Sequence, residues 1–318
     1  MSIDSAISSN TPFASLVLPT EFDPNRSPIV LEYIQGRFFH TALQIELELA
    51  PFAPYFGNEP QDVTTKEKHA QTVRAAIQAI ESGALEKVVV SCIKHVPRTT
   101  QSLETVFHKL SSHYPSAMVY ALHHPDYGTW MGATPELLLH KSGNRFHTVS
   151  LAGTQVHSEA HELPWNEKLR REQSLVTDFI VQTIKQCGGI DMAINGPYTA
   201  QAGPLAHLKS DIQFTGLSDT KQFIKQLQPT PAVCGLPRAD ALNFILTHSS
   251  AQRRLYAGQI GLRYSSGDEI HFVNLRCMQV FDDHFELHVG GGIVAGSHAE
   301  EEWHETEIKA NVLRHLLQ

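Results

Sequence analysis

The stretch Gly290-Gly-Gly-Ile-Val-Ala-Gly-Ser-His-Ala-Glu-Glu-Glu-Trp-His-Glu-Thr-Glu-Ile-Lys309 decides how the chain is read. Three successive glycines close a strand, and the acidic segment after them opens a helix toward the C-terminus. Without Cβ atoms, Gly290, Gly291 and Gly292 allow the backbone to approach a ligand closely. On the helix, Glu302, Glu305 and Lys309 stand at i, i+3 and i+7 and share one face, which continues into Val312 and Leu316. That face is the apolar, inward one. Charged groups turned inward need a partner, and paired carboxylates commonly take a divalent cation. The competing reading is a solvated helix start whose acids complement the helix dipole.

The same tension recurs upstream. Leu85-Glu-Lys-Val-Val-Val-Ser91 is β-branched and predicts a strand with Lys87, Val89 and Ser91 on one side. A lysine in so apolar a run either reaches water from the strand's start or is desolvated to serve as a base. In Trp130-Met-Gly-Ala-Thr-Pro-Glu-Leu-Leu-Leu139, a turn opening into an apolar strand, Glu136 precedes three leucines. It is either a solvent-facing strand start or a carboxyl in apolar surroundings that keeps its proton near neutrality. A helix over about 166–186 carries Leu169, Val176, Phe179 and Ile180 on one stripe, and Glu172 falls on that stripe. Glu172 therefore joins Glu305 as a candidate metal ligand. Arg276 interrupts the apolar alternation of a strand over 269–280 and suits a guanidinium aimed at a carboxylate.

The remaining pattern bounds the fold. The 318 residues can bury a large core. Residues 1 to about 60 are rich in Pro, Ser and Asn, with one extended candidate over 29–39. Helices are expected over 64–82, 103–111, 219–226 and 239–246, and strands over 117–123, 148–154, 207–214, 255–264 and 285–289. Strands interleaved with isolated helices, without regular βαβ alternation, indicate an α+β protein: layered, mainly antiparallel sheets with flanking helices, in one compact domain. A net charge of −8 argues against a partner that needs a basic face, such as nucleic acid. The four cysteines form no CxxC pair and suit reduced thiols in the cytoplasm. No basic-then-apolar N-terminal signal and no apolar run of membrane length stand out, so no membrane partner is expected. The nineteen histidines do not cluster at metal spacing, and His157 and His161 read as a surface or loop pair.

Together these segments resemble the chorismate-utilising enzymes, the family of isochorismate, anthranilate, aminodeoxychorismate and salicylate synthases. The resemblance runs from about Lys66 to the C-terminus. It rests on Glu86-Lys-Val-Val-Val-Ser91, Gly132-Ala-Thr-Pro-Glu-Leu-Leu138, Leu151-Ala-Gly-Thr154, Pro229-Thr-Pro-Ala-Val-Cys-Gly235, Arg254-Leu-Tyr-Ala-Gly258 and Gly290–Lys309. It implies a catalytic domain over 61–318, an N-terminal segment over 1–60 that is short for the family, and chorismate, a small dianion, as substrate. It implies Mg2+ bound by Glu172 and Glu305, with Glu302 a further acid beside the metal. Gly153, Thr154, His207, Ala232, Tyr256, Arg276, Gly290, Gly291, Gly292 and Lys309 match substrate-holding positions.

Within the family, the resemblance is closest to isochorismate synthase. Those enzymes isomerise chorismate reversibly, with water attacking C2 as the C4 hydroxyl leaves. Lys87 matches the base that activates the water, and Glu136 the acid that protonates the leaving group. Ammonia-using members carry threonine where this chain has Ala232. No glutaminase motif is present, so no glutaminase subunit is expected. A salicylate synthase, which would go on to eliminate pyruvate, is the alternative, ahead of an aminating enzyme or a non-catalytic homologue. The product would serve menaquinone or siderophore biosynthesis, from a monomer or homodimer. Departures from the family pattern stand at Leu169, Gln173, Cys92, Gln228 and Gln155-Val-His.

Overall fold

The computed structural model describes residues 2–23, 26–53, 58–156, 165–202, 205–249 and 251–318. The pair His157 and His161 lies outside them. The chain opens with a short helix α1 (Ile3–Ser8) and four strands, β1 (Phe13–Val17), β2 (Ile29–Ile34), β3 (Arg37–His40) and β4 (Ile45–Ala50). The single extended candidate over 29–39 is thus a hairpin. Gln35 and Gly36 both take positive φ (50° and 84°), the turn geometry that matches strand twist.

Helix α2 (Lys66–Glu81) is capped by the Thr65 hydroxyl and leads into β5 (Lys87–Pro97). Then come α3 (Leu103–His113), β6 (Met118–His124), β7 (Gly128–Thr134), β8 (Leu137–Ser142) and β9 (Arg145–Val156). The turn-then-strand expected over 130–139 is instead two strands, broken where Pro135 cannot donate a ladder hydrogen bond. Helix α4 (Glu167–Gln186), capped by Asn166, is followed by β10 (Ile190–Ala202) and β11 (Leu205–Thr215). After α5 (Thr220–Leu227), the two-residue β12 (Gly235–Leu236) and α6 (Arg238–His248) come β13 (Gln259–Tyr264), β14 (Glu269–Val273), β15 (Cys277–Val280), β16 (His284–Val294) and α7 (Ala299–Arg314). The strand expected over 269–280 is cut in two, and Arg276 stands in the break with φ 49°.

The opening glycines also need correction. They do not end a strand in a turn. Gly290, Gly291 and Gly292 lie inside β16, opposite Ser91, Val90 and Val89 of β5, and the strand runs on to Val294.

All strand pairs are antiparallel, and the strands form one sheet in the order β10-β11-β9-β8-β14-β13-β4-β3-β2-β1-β6-β7-β15-β16-β5-β12. The N-terminal strands sit mid-sheet, between β13 and β6. The hydrophobic interior divides into two large clusters, giving the layered α+β architecture. One holds Val88, Val90, Tyr120, Trp130, Ile180 and Ile293, and the other packs α1, α3 and α7 through Ile3, Phe107, Leu110 and Leu313. Strands distant in the sheet order still meet: Lys87 of β5 pairs with Glu172 of α4, which covers β9. The sheet therefore curls on itself, and the site forms where β9 and β11 face β5 and β16.

Candidate active site

Lys87 opens β5 and is completely buried, flanked by β16 on one edge and β12 on the other. Its ammonium does not reach water. Nζ lies 2.9 Å from Glu172 Oε1. Glu172 enters from the buried face of α4 and fits only because position 292 is glycine: a Cβ there would stand 2.4 Å from Glu172 Oε1 and 3.1 Å from Lys87 Cε.

Helix α7 supplies the other acids, on the face the spacing predicts. Glu302 is 2% exposed. Its Oε1 accepts from Lys168 Nζ at 2.9 Å, while Oε2 is buried with no hydrogen-bond partner and would lie 3.1 Å from a Cβ at position 291. Burial first, and then the nearby Glu305, push the Glu302 carboxyl above its ordinary range. Glu305 pairs with Lys309 at 2.6 Å, and Lys309 donates to the Gly290 carbonyl at 2.8 Å. Burial pulls the Lys168 ammonium down, but Glu302, Glu305 and Glu172 outweigh it and hold it above its ordinary value.

The carboxylates of Glu172, Glu302 and Glu305 thus each pair with a lysine, Lys87, Lys168 and Lys309 in turn, and all three raise Lys168. They are not drawn into mutual chelating distance: among the described residues only His95, His284 and Glu286 bring three metal-capable groups within 4.8 Å. Even so, the set is all carboxylate oxygen and holds one buried, unpartnered acceptor. That chemistry fits a hard divalent cation.

Glu136 lies just after the break between β7 and β8 and is 4% exposed. Burial pushes its carboxyl up to about 7, against the downward pull of Lys87, Arg276 and Lys309. Arg276 is held in the left-handed region with its carbonyl bound by the Ala133 amide at 3.0 Å. Its Nη2 lies 3.3 Å from His207 Nε2, and Nη1 is buried without a partner. Among the described residues no carboxylate forms an ion pair with Arg276. His207 Nδ1 lies 3.0 Å from the Gly153 carbonyl. A carbonyl only accepts, so Nδ1 carries the proton and Nε2 receives the Arg276 hydrogen. Burial keeps this imidazole neutral by lowering it to about 3.

Most of the groups singled out in the sequence line one cavity. Glu136, Gly153, Thr154, Glu172, His207, Ala232, Tyr256, Arg276, Gly290, Gly292 and Lys309 all border it. Lys87 lies behind Gly292, while Gly291 turns toward Glu302 and Glu305.

Sequence reasoning passed over three contributors. Lys168 sits among the acids, and His288 lines the cavity and stacks on Tyr256 at 5.8 Å. Arg253, buried, donates to the Val233 and Val89 carbonyls and fixes the loop that carries Ala232. The adjacent arginines 253 and 254 ahead of an apolar strand were the available signal for that last role. Two departures are accommodated. Gln173 donates to Ser150, Thr177 and Ser210, and Leu169 packs against Gly153.

Known proteins resemble this chain in sequence and in fold. The sequence profile of the family described as "Chorismate binding enzyme" matches residues 41–318. Isochorismate synthase MenF of Escherichia coli (strain K12) is 31% identical over 278 residues, covering 80% of this chain and 63% of its own. Isochorismate synthase EntC of the same strain is 27% identical, covering 80% and 68%. In three dimensions the menaquinone-specific isochorismate synthase MenF from Escherichia coli superposes with a TM-score of 0.81 at 21% identity, over 100% of this chain and 92% of that one. This chain therefore spans somewhat under two thirds of the first relative's length.

Proposed function

We infer that this chain, which belongs to the chorismate binding enzymes, is an isochorismate synthase that interconverts chorismate and isochorismate. One observation carries the reading: a buried carboxyl raised to about 7 and an arginine with a free buried donor line one cavity, and a buried lysine stands just behind its wall at Gly292. Base, acid and anion anchor are then present together.

Residues 61–318 carry this chemistry, and residues 1–60 complete the sheet. Arg276 Nη1 takes one carboxylate of the dianion, with Tyr256, Lys309 and the backbone at Gly153 and Gly290 completing its seat. Neutral His207 holds the guanidinium in place through Nε2. Lys87 accepts a proton from water as its oxygen bonds to C2. The ring double bonds shift, the C4–O bond breaks, and protonated Glu136 gives its proton to the departing hydroxide. One water enters and one leaves. Return of the proton from Lys87 to Glu136 restores the starting state.

Mg2+, held by Glu172 and Glu305 with Glu302 beside them, would neutralise the ring carboxylate. Ala232 leaves the nucleophile's approach to water rather than ammonia, so no glutaminase partner is required. The four free thiols suit the reducing cytoplasm, and no described helix is long and apolar enough to cross a membrane. Reaction in 18O-labelled water tests the scheme. Isochorismate labelled at C2 is expected, whereas unlabelled product would show migration of the existing hydroxyl and exclude the assigned roles.

A further inference from the structure

A second constellation lies far from the catalytic cavity. His95 is eight residues along β5 from Lys87, roughly 26 Å at strand spacing. It stands directly opposite Glu286 of β16, and His284, two residues earlier on β16, shares that face. The Glu286 side chain is fully buried, and its Oε1 lies 3.7 Å from His284 Nε2 and 3.8 Å from His95 Nε2. Its Oε2 has Arg254 Nη1 at 3.8 Å and makes no hydrogen bond.

His284 is oriented from outside. Asp283 Oδ1 lies 2.7 Å from its Nδ1, so the proton sits on Nδ1 and the lone pair of Nε2 points inward. That Nε2 is buried and has no hydrogen-bond partner. A carboxylate holding the outer nitrogen of an imidazole whose inner nitrogen is free is the usual support of a metal-ligating histidine. His95 Nε2 lies 2.8 Å from the Gln61 carbonyl, the one bond that ligation through this nitrogen would replace.

We propose that His95, His284 and Glu286 bind a divalent transition metal of borderline softness, Zn2+ by the character of the donors. Two imidazoles and a carboxylate form a recurrent zinc ligand set, and tetrahedral bonds of about 2.0–2.1 Å place donors about 3.3 Å apart. The two distances here are only a few tenths longer. The half-buried histidines leave a route from solvent, and water would supply the fourth ligand. The ion would pin β5, β16 and the crossing segment at Gln61, whose amide donates to Glu286 Oε1. This is a site for structure, separate from the reaction.

The test uses the full chain in millimolar Mg2+, stripped of transition metals and titrated with Zn2+ and, in parallel, Co2+. One equivalent is expected to bind, with the intense visible bands of tetrahedral, nitrogen-bound Co2+ and a rise in thermal midpoint. His284→Ala and His95→Asn should each weaken binding at least about tenfold, and so should Asp283→Ala, which removes only the outer support. Asp283 is exposed, so that variant decides the matter if the histidine variants do not fold. No saturable Zn2+ binding, an octahedral Co2+ spectrum, or affinity unchanged by Asp283→Ala would overturn the proposal.

Discussion

In the proposed reaction Glu136 is the residue on which the chemistry turns, because its task depends on keeping a proton. Burial raises it to about 7, so the acid form is present below that pH and is lost as pH rises through it. Turnover is therefore expected to fall above about pH 7. Glu136→Gln should lower kcat by about 10²–10⁴ and remove that limb from the profile. A limb that persists in the variant would assign the proton to another group. Several buried groups at or beside the cavity were legible as misplaced residue types: Lys87 and Glu172 in apolar patterns, Arg276 in a strand, Glu136 before leucines. Lys168 was not. It stands one turn before Glu172 at the N-terminal end of the stripe, where a lysine can reach solvent, and only the docking of α7 brings Glu302 and Glu305 to it. The neutral tautomer of His207 likewise depends on the Gly153 carbonyl, a contact between strands that no local pattern encodes.

Among the elements, β16 organises the site by what its side chains leave out. Gly292 makes room for Glu172 beside Lys87, while Gly291 faces Glu302 and Glu305. Gly292→Ala should abolish most turnover yet leave the fold intact, because the Cβ would strike the movable end of Glu172 rather than backbone. Far-UV circular dichroism with a turnover assay checks this. Wild-type activity would show that the close approach at position 292 is unnecessary. Helices α2 to α7 were legible in the sequence, whereas the short α1 was not. Strand limits were not, since glycine suggests a stop, whereas here β5 pairs with β16 straight through the glycines. Strand β10 escaped notice because Ile190, Ile194 and Tyr198 face outward and Gly196-Pro197 punctuates it. The histidine cluster was hidden for a related reason: its donors come from positions 95, 284 and 286, joined by strand register and not by spacing.

For the molecule as a whole, one antiparallel sheet curls until its distant strands enclose a cavity, with α4 and α7 delivering acids from opposite sides. The α+β class followed from the interleaving of strands and helices. The sheet order did not, and the place of the N-terminal strands between β13 and β6 is set by long-range pairing that a Pro-, Ser- and Asn-rich segment does not announce. The assembled account stands or falls on what the protein makes from chorismate. Purified chain, chorismate and Mg2+, followed by NMR without a second enzyme, should give isochorismate at equilibrium with chorismate, reached from either side and stopped by EDTA. Salicylate with pyruvate, or no conversion at all, would contradict it.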